Sequence, residues 1–487
     1  MPPALAAYQY DRQDSSISLY GYLQGEARYA LDDDTPDEDP SQVLNLDLRA
    51  NLGSWNSMML VIKGIDDGKV IDPGSARLFN EFDRIYQDRN PSVDIDEAYI
   101  DLYTRYMDVR LGIQKFAWGR LDEINPTDNL NTEDLTRGGT DDEVERKIGA
   151  PSLKVSMFSG IADIEMVWIP RYVPYRLPNP QERWFPEVMK PPAVIETETL
   201  IGEIPVLTTY HDIDLPALNV RNSGGGVRVS GYIAGVDLSL SYFTGYDPMP
   251  VTDAATDITV TLEDVLALSY DIDAHVDITP RISRIHVFGF DLTTTVGSFT
   301  IRGEGAYFKD KIYNRKLSSV LAQELAGQRQ EEMIEEFMQA YISSGGTDTA
   351  RTFHVEPDMA ILEDSMKYGA GIDYIYGDTS VSLQCIQEYM PGFDEDKPVY
   401  FIKDGVDTVV TASFKQFFMQ NTLEINLDAA HDIQFRDIIF KPSVKYSFTD
   451  NLQMCIGAIL IEGKYDDALL GQFRDNDEAF AWLRCNF

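Results

Sequence analysis

Arg302 and Glu304 stand two residues apart within Ser298 to Phe308, so in an extended chain both side chains leave on the same face. Their neighbours on the other face are apolar. The pattern recurs with Glu97 and Asp101 in Val93 to Tyr106, with Arg110 in Met107 to Trp118, and with Arg228 in Gly226 to Ile233. An Arg or Lys placed against hydrocarbon at a bilayer midplane costs about 2–4 kcal/mol, whereas one facing water costs little. Charges of both signs on one strand face therefore predict a wet, enclosed interior that acts on solutes by charge and hydrogen bonding. Further positions in this phase include Glu26, Arg28, Asp47, Arg49, Asp163, Glu165, Asp237, Glu424, Asp428, Lys441, Lys445 and Arg484. Some of these serve the wall by pairing across strands rather than selecting solutes. Asn125 and Asp128 join the candidates for another reason. Gly119 to Asn131 is a polar, turn-rich stretch that can fold inward and narrow a pore.

Other chemistries find little support. The histidines His211, His275, His286, His354 and His431 show no HExxH spacing, and Cys385, Cys455 and Cys485 form no CxxC. No Ser/His/Asp set can be assigned, so no enzyme and no cofactor is expected. The net charge of -39 excludes nucleic-acid binding through a basic field. One acidic loop, Leu31 to Pro40 with Asp32, Asp33, Asp34, Asp37, Glu38 and Asp39, has the oxygen chemistry of a surface Ca²⁺ or Mg²⁺ bridge to lipopolysaccharide phosphates, or of a plain solvated loop.

The elements that must carry these residues are strands. Mean hydropathy is -0.24 and no apolar run reaches the ~18 residues of a membrane-spanning helix. Alternation hides an apolar face from such an average. Leu44, Leu46, Leu48, Ala50 and Leu52 alternate with Asn45, Asp47, Arg49 and Asn51, and the final stretch Asp475 to Phe487 alternates up to a terminal aromatic residue. Roughly eighteen such segments follow one another. Tight turns such as Gly53-Ser54, Ala234-Gly235, Gly377-Asp378 and Thr449-Asp450-Asn451 alternate with long links. Short turns at one rim and long loops at the other predict an all-β transmembrane fold: a single antiparallel up-and-down barrel in an outer membrane, with short periplasmic turns and long extracellular loops. A multi-domain soluble β protein is the competing reading, and it has no such two-sided rule. Residues 1–15 are read as a periplasmic N-terminal segment and 16–487 as the barrel, with long loops at 170–225 and 309–365. Pro170 to Pro192 mixes Arg171, Arg176 and Arg183 with Tyr172, Tyr175, Trp184 and Phe185, which suits a surface that greets an anionic or aromatic solute, a plug, or a loop packed on its neighbours. Lys316 to Ile342 is the one predicted helix, through Leu317, Leu321 and Leu325 and then Met333, Phe337 and Tyr341. It serves either as a lid or as packing for adjacent loops.

Gly112-Ile113-Gln114-Lys115, Trp118-Gly119 and Ile124-Asn125-Pro126-Thr127-Asp128 resemble segments of uncharacterised outer-membrane barrels of Gram-negative bacteria associated with RND-type transporters. Asn421-Thr422-Leu423-Glu424, Pro442 to Tyr446 and Thr449 to Leu452 are similar to the closing hairpins of those proteins and of porin and alginate-export barrels. The resemblance implies a barrel in the outer membrane. On this reading the chain is a porin-like channel for small solutes, or a dedicated conduit for hydrophobic compounds or polysaccharide working with periplasmic partners, or a scaffold for a surface or electron-transfer protein. The expected partners are the bilayer and lipopolysaccharide, with a homo-oligomer open as a further association.

Overall fold

Each period-two segment becomes a strand, and each tight turn folds two strands into an antiparallel hairpin. The computed structural model describes residues 8–12, 15–31, 38–66, 92–138, 142–178, 182–186, 189–190, 193–196, 203–211, 213, 215–247, 249–264, 269–317, 319–320, 328–465 and 468–487. The first eight strands are β1 (Tyr8–Arg12), β2 (Ser15–Ala30), β3 (Glu38–Leu52), β4 (Asn56–Asp66), β5 (Ser92–Tyr103), β6 (Met107–Gln114), β7 (Ala150–Phe158) and β8 (Asp163–Ile169). Then come β9 (Val194–Glu196), β10 (Glu203–Tyr210), β11 (Gly224–Ile233), β12 (Val236–Tyr246), β13 (Val251–Asp264), β14 (Ser269–Arg281), β15 (Arg284–Val296) and β16 (Phe299–Asn314). The last are β17 (Ala350–Val355), β18 (Ala360–Tyr376), β19 (Thr379–Tyr389), β20 (Val406–Phe418), β21 (Leu423–Asp432), β22 (Asp437–Ser447), β23 (Leu452–Glu462) and β24 (Glu478–Asn486).

Eighteen of these strands, all but β1, β9, β10, β13, β14 and β17, form one closed antiparallel ring. The closure joins β2 to β24, with Tyr22 opposite Asn486 and Ala30 opposite Glu478. Beyond β24, Gly21 and Phe487 exchange both backbone hydrogen bonds at 2.9 Å. A side-chain carbon at position 21 would sit 2.4 Å from the Asn45 carbonyl oxygen and 2.8 Å from the Phe487 ring, so glycine is required there. β1 continues the same edge of β2 toward the short-turn rim, with Tyr8 opposite Leu19 and Arg12 opposite Ser15. At the hairpin between β11 and β12, Ala234 and Gly235 both take positive φ, at 53° and 91°, as a two-residue turn of matching twist requires.

Burial in the ring is inverted relative to a water-soluble protein. Leu111 and Leu240 are 62 % and 64 % exposed, while Glu304 and Asp291 are 4 % and 1 % exposed. Leaving a Leu or Phe side chain in water forgoes about 1.5–3 kcal/mol of burial. The outer face also exposes Ile100, Phe288, Phe290, Ile372, Leu383, Phe440 and Ile456, and such a belt is stable only against hydrocarbon. The molecule is thus a transmembrane barrel, as the alternation predicts.

The long links carry more structure than their sequence reading as loops allowed. β9, β10, β13, β14 and β17, drawn from three links, form a separate five-stranded sheet in the order β17-β13-β14-β10-β9. β10 and β14 pair in parallel and the other neighbours antiparallel. The long link Asp247 to Pro280 thus holds β13 and nearly all of β14. The expected helix is observed at Gln328–Ser343. Residues 321–327 of the predicted span, with Leu321 and Leu325, lie outside the described residues. Met333 and Phe337 from the helix pack with Leu317 and Val320 on Ile258, Val260, Ile272 and Val276 of the second sheet. The helix thus belongs to this sheet's core. Residues 32–37 of the acidic loop lie outside the described residues, and so do residues 67–91.

Candidate functional site

The link between β6 and β7 runs inside the ring. It leaves β6, the fifth ring strand, and reaches β19, the thirteenth, before returning. Small wall residues make room for it. Gly226 lies under the Trp118 ring, Gly289 faces Thr127, and Gly369 and Gly371 face Leu121; a side-chain carbon at Gly226 or Gly369 would sit 2.7 or 2.8 Å from those groups. Phe116, Trp118 and Leu130 of the link pack with Val167, Phe243, Ile285 and Val287 of the inner wall. This stretch of wall is apolar inside as well as outside, which plain alternation does not predict.

Polar contacts fix the link to the wall. The buried Glu304 carboxylate accepts from the backbone N–H of Arg120, Leu121 and Thr127 at 2.6, 3.1 and 2.7 Å, and from Thr127 Oγ1 at 2.8 Å. Arg302 donates to both oxygens of Asp122, at 2.8 and 2.7 Å, to Asp373 at 2.6 Å and to the Arg120 carbonyl at 2.7 Å. Asp291 accepts from Arg120 at 3.0 Å and from Arg228 at 3.2 Å. Gln384 joins the link through Asp122, accepting its N–H and donating to its carboxylate, both at 3.0 Å. Within the link, Asn125 donates to Glu143 at 3.0 Å, and Lys147 donates to Asp128 at 2.7 Å. Burial pushes the Asp128 carboxyl up to about 7 despite the lysine.

The sequence-predicted residues thus divide. Arg228, Arg302 and Glu304 come together on the far wall, with Asn125 and Asp128 in the link they hold. Glu97 accepts the Lys115 N–H at 3.2 Å, where the link begins. Asp101 and Arg110 are opposed across β5 and β6 and make a bidentate pair at 2.6 and 3.0 Å, away from the link. Asp122, Asp291, Asp373 and Gln384 were not singled out in the sequence. For Asp291 the reason is specific, since Arg281 to Leu292 is ambiguous in phase.

A second insert, from the link between β8 and β11, crosses to the closing seam. Arg183 reaches the fully buried Glu478 of β24, which also pairs with Arg28 of β2 at 2.5 Å. Arg28 continues to Glu26 at 2.5 Å, and Arg137 of the first insert lies 3.4 Å from Glu26. Trp184 is buried among Ile459, Ile461 and Phe473. Nearer its origin, Arg176 pairs with Asp94 of β5 at 2.8 Å and with Asp134 of the first insert at 3.3 Å. The described part of Pro170 to Pro192 thus folds inward and packs on its neighbours. Among the described residues, no group of three or more His, Cys, Asp or Glu side chains is arranged to hold a metal ion.

A family model described as a protein of unknown function, DUF1302, matches residues 74–487. No curated protein matches the chain. Solved structures of similar outline include OccAB4 of Acinetobacter baumannii, at 8% identity and TM-score 0.48 over 98% of each chain. OccK8 (OprE) of Pseudomonas aeruginosa is similar at 7% identity and TM-score 0.47 over 97% of each chain. OmpF of Salmonella typhi, in a complex with daunomycin, is similar at 8% identity and TM-score 0.41 over 99% of this chain and 100% of that one.

Proposed function

The chain belongs to the DUF1302 family, and because that family carries no assigned activity, we propose from the geometry that it is an outer-membrane channel of a Gram-negative bacterium. Small solutes diffuse through its lumen past a constriction formed by the two inserts. The observation that carries this reading is the first insert, seated inside the ring and fixed to the far wall through Glu304, Arg302 and Asp291. A scaffold barrel has no need of a polar loop held in its interior. In a channel, such a loop sets the size limit and places carboxylates and guanidinium groups where a solute must pass. The second insert, bound to the seam, favours a restricted conduit over a wide pore, and with it a dedicated cargo as the second reading.

Planar bilayers with purified, refolded protein test the proposal. Discrete conductance steps are expected, with cation preference from the acidic surplus. Liposome swelling with small sugars is expected to be slow, as narrowing requires. Fast swelling by large sugars refutes the constriction, and a folded protein that gives no steps under any voltage refutes passive diffusion.

A further inference from the structure

Toward the short-turn rim from the inserts, three arginines on the inner wall each lie on a tyrosine ring. The Arg484 guanidinium carbon is 4.3 Å from the centre of Tyr22, that of Arg110 is 3.8 Å from Tyr99, and that of Arg49 is 5.5 Å from Tyr20. These residues come from β24, β2, β3, β5 and β6, neighbours around the ring apart from β4. Met59 of β4 bridges that gap, opposite both Arg49 and Tyr99. Guanidinium and aromatic surfaces therefore alternate along one continuous stripe.

One edge of each of these guanidinium groups is already engaged. Arg49 donates from Nε and Nη2 to Asp47 Oδ2 at 3.0 and 2.6 Å, and Arg110 is bidentate to Asp101. Arg484 donates to Gln24 at 2.6 Å and faces Glu145 at 3.6 Å. Each guanidinium thus has a carboxylate beside it, so an arriving anion finds the positive charge already offset. Arg484 also lies 5.0 Å from the centre of the Trp482 ring, which leaves the faces of Arg49 and Arg110 turned away from their tyrosines, and the Arg49 side chain is 59 % exposed. A planar ring can lie on such a face, while a puckered ring of equal size cannot.

We propose that this stripe is a binding track for planar, uncharged aromatic solutes. The inference rests on the channel reading, because the track has a use only where solutes cross the lumen. It is tested without any current, by ligand-observed NMR on the protein in nanodiscs with empty nanodiscs as the blank. Benzamide, cyclohexanecarboxamide and benzoate are matched in size. Benzamide is expected to bind about two- to fivefold more tightly than cyclohexanecarboxamide, the range for one exposed cation–π contact. Benzoate is expected to gain nothing over benzamide. The double variant Arg49→Lys/Arg110→Lys keeps both charges and removes the flat faces, so the preference for benzamide should vanish. Tightest binding of benzoate, no preference in the wild-type protein, or a preference that survives the double substitution overturns the proposal. If the protein binds benzamide selectively and yet never conducts, the track stands and the channel reading falls.

Discussion

Glu304 shows how one side chain converts a strand into a support. Its carboxylate takes three backbone N–H groups and a hydroxyl from the link between β6 and β7. Substituting Glu304→Ala leaves those donors without their acceptor in a buried place, a cost of about 3 kcal/mol for bonds to a charged acceptor. The link should then be cut by added protease in the folded barrel, where the wild-type link resists. Asp128 makes a pH-dependent case. Its folded carboxyl holds a proton up to about 7, above its unfolded value, so its contribution to stability is full in acid and is lost as pH rises toward neutrality. Asp128→Asn should therefore gain on the wild type between pH 5 and pH 8, by something on the order of 2 kcal/mol. Urea titration in lipid vesicles at both values measures this, and a constant difference would refute it. Arg228, Arg302 and Glu304 were legible as inward residues because period two assigns a face. Their partners in the link were not, since a pairing such as Thr127 with Glu304 depends on where a loop lands, and alternation is silent on that.

At the scale of elements, one local pattern serves two environments. Tyr270, Ile272, Ala274, Val276 and Ile278 in β14 alternate with polar residues much as Leu238, Leu240 and Tyr242 do in β12. In β14 the apolar row is buried under the helix Gln328–Ser343. In the ring it points outward. Alternation gives the strand and its two faces, but the identity of the covering medium comes from context. The ring was legible because tight turns and long links alternate along the whole chain. The second sheet was not, because its strands come from three separate links and meet only in space. The two sheets should therefore answer differently to substitution. Ile272→Ala leaves a cavity beneath the helix and should cost about 2–5 kcal/mol locally. Proteolysis should then open β13, β14 and the helix, while the barrel keeps its heat-modifiable mobility on gels. Loss of both together would show that the second sheet and the ring fold as one unit.

At the scale of the whole molecule, closure and occlusion share residues. The seam between β2 and β24 carries Glu478 with Arg28, and the second insert adds Arg183 to the same carboxylate. A buried carboxylate between two guanidinium groups is stable as a set, and losing the anion leaves two cations facing each other, at a cost of about 3–5 kcal/mol. Removing the arginine from the insert is milder for the seam, because Arg28 still neutralises Glu478. Arg183→Ala should therefore free the insert from the wall without opening the ring. The expected result in planar bilayers is a larger single-channel conductance, with the folded barrel still resistant to detergent at room temperature. Glu478→Ala should instead lower the temperature at which the barrel unfolds, because it strikes the closure itself. If Arg183→Ala leaves conductance unchanged, the second insert does not limit passage, and the constriction is the work of the first insert alone.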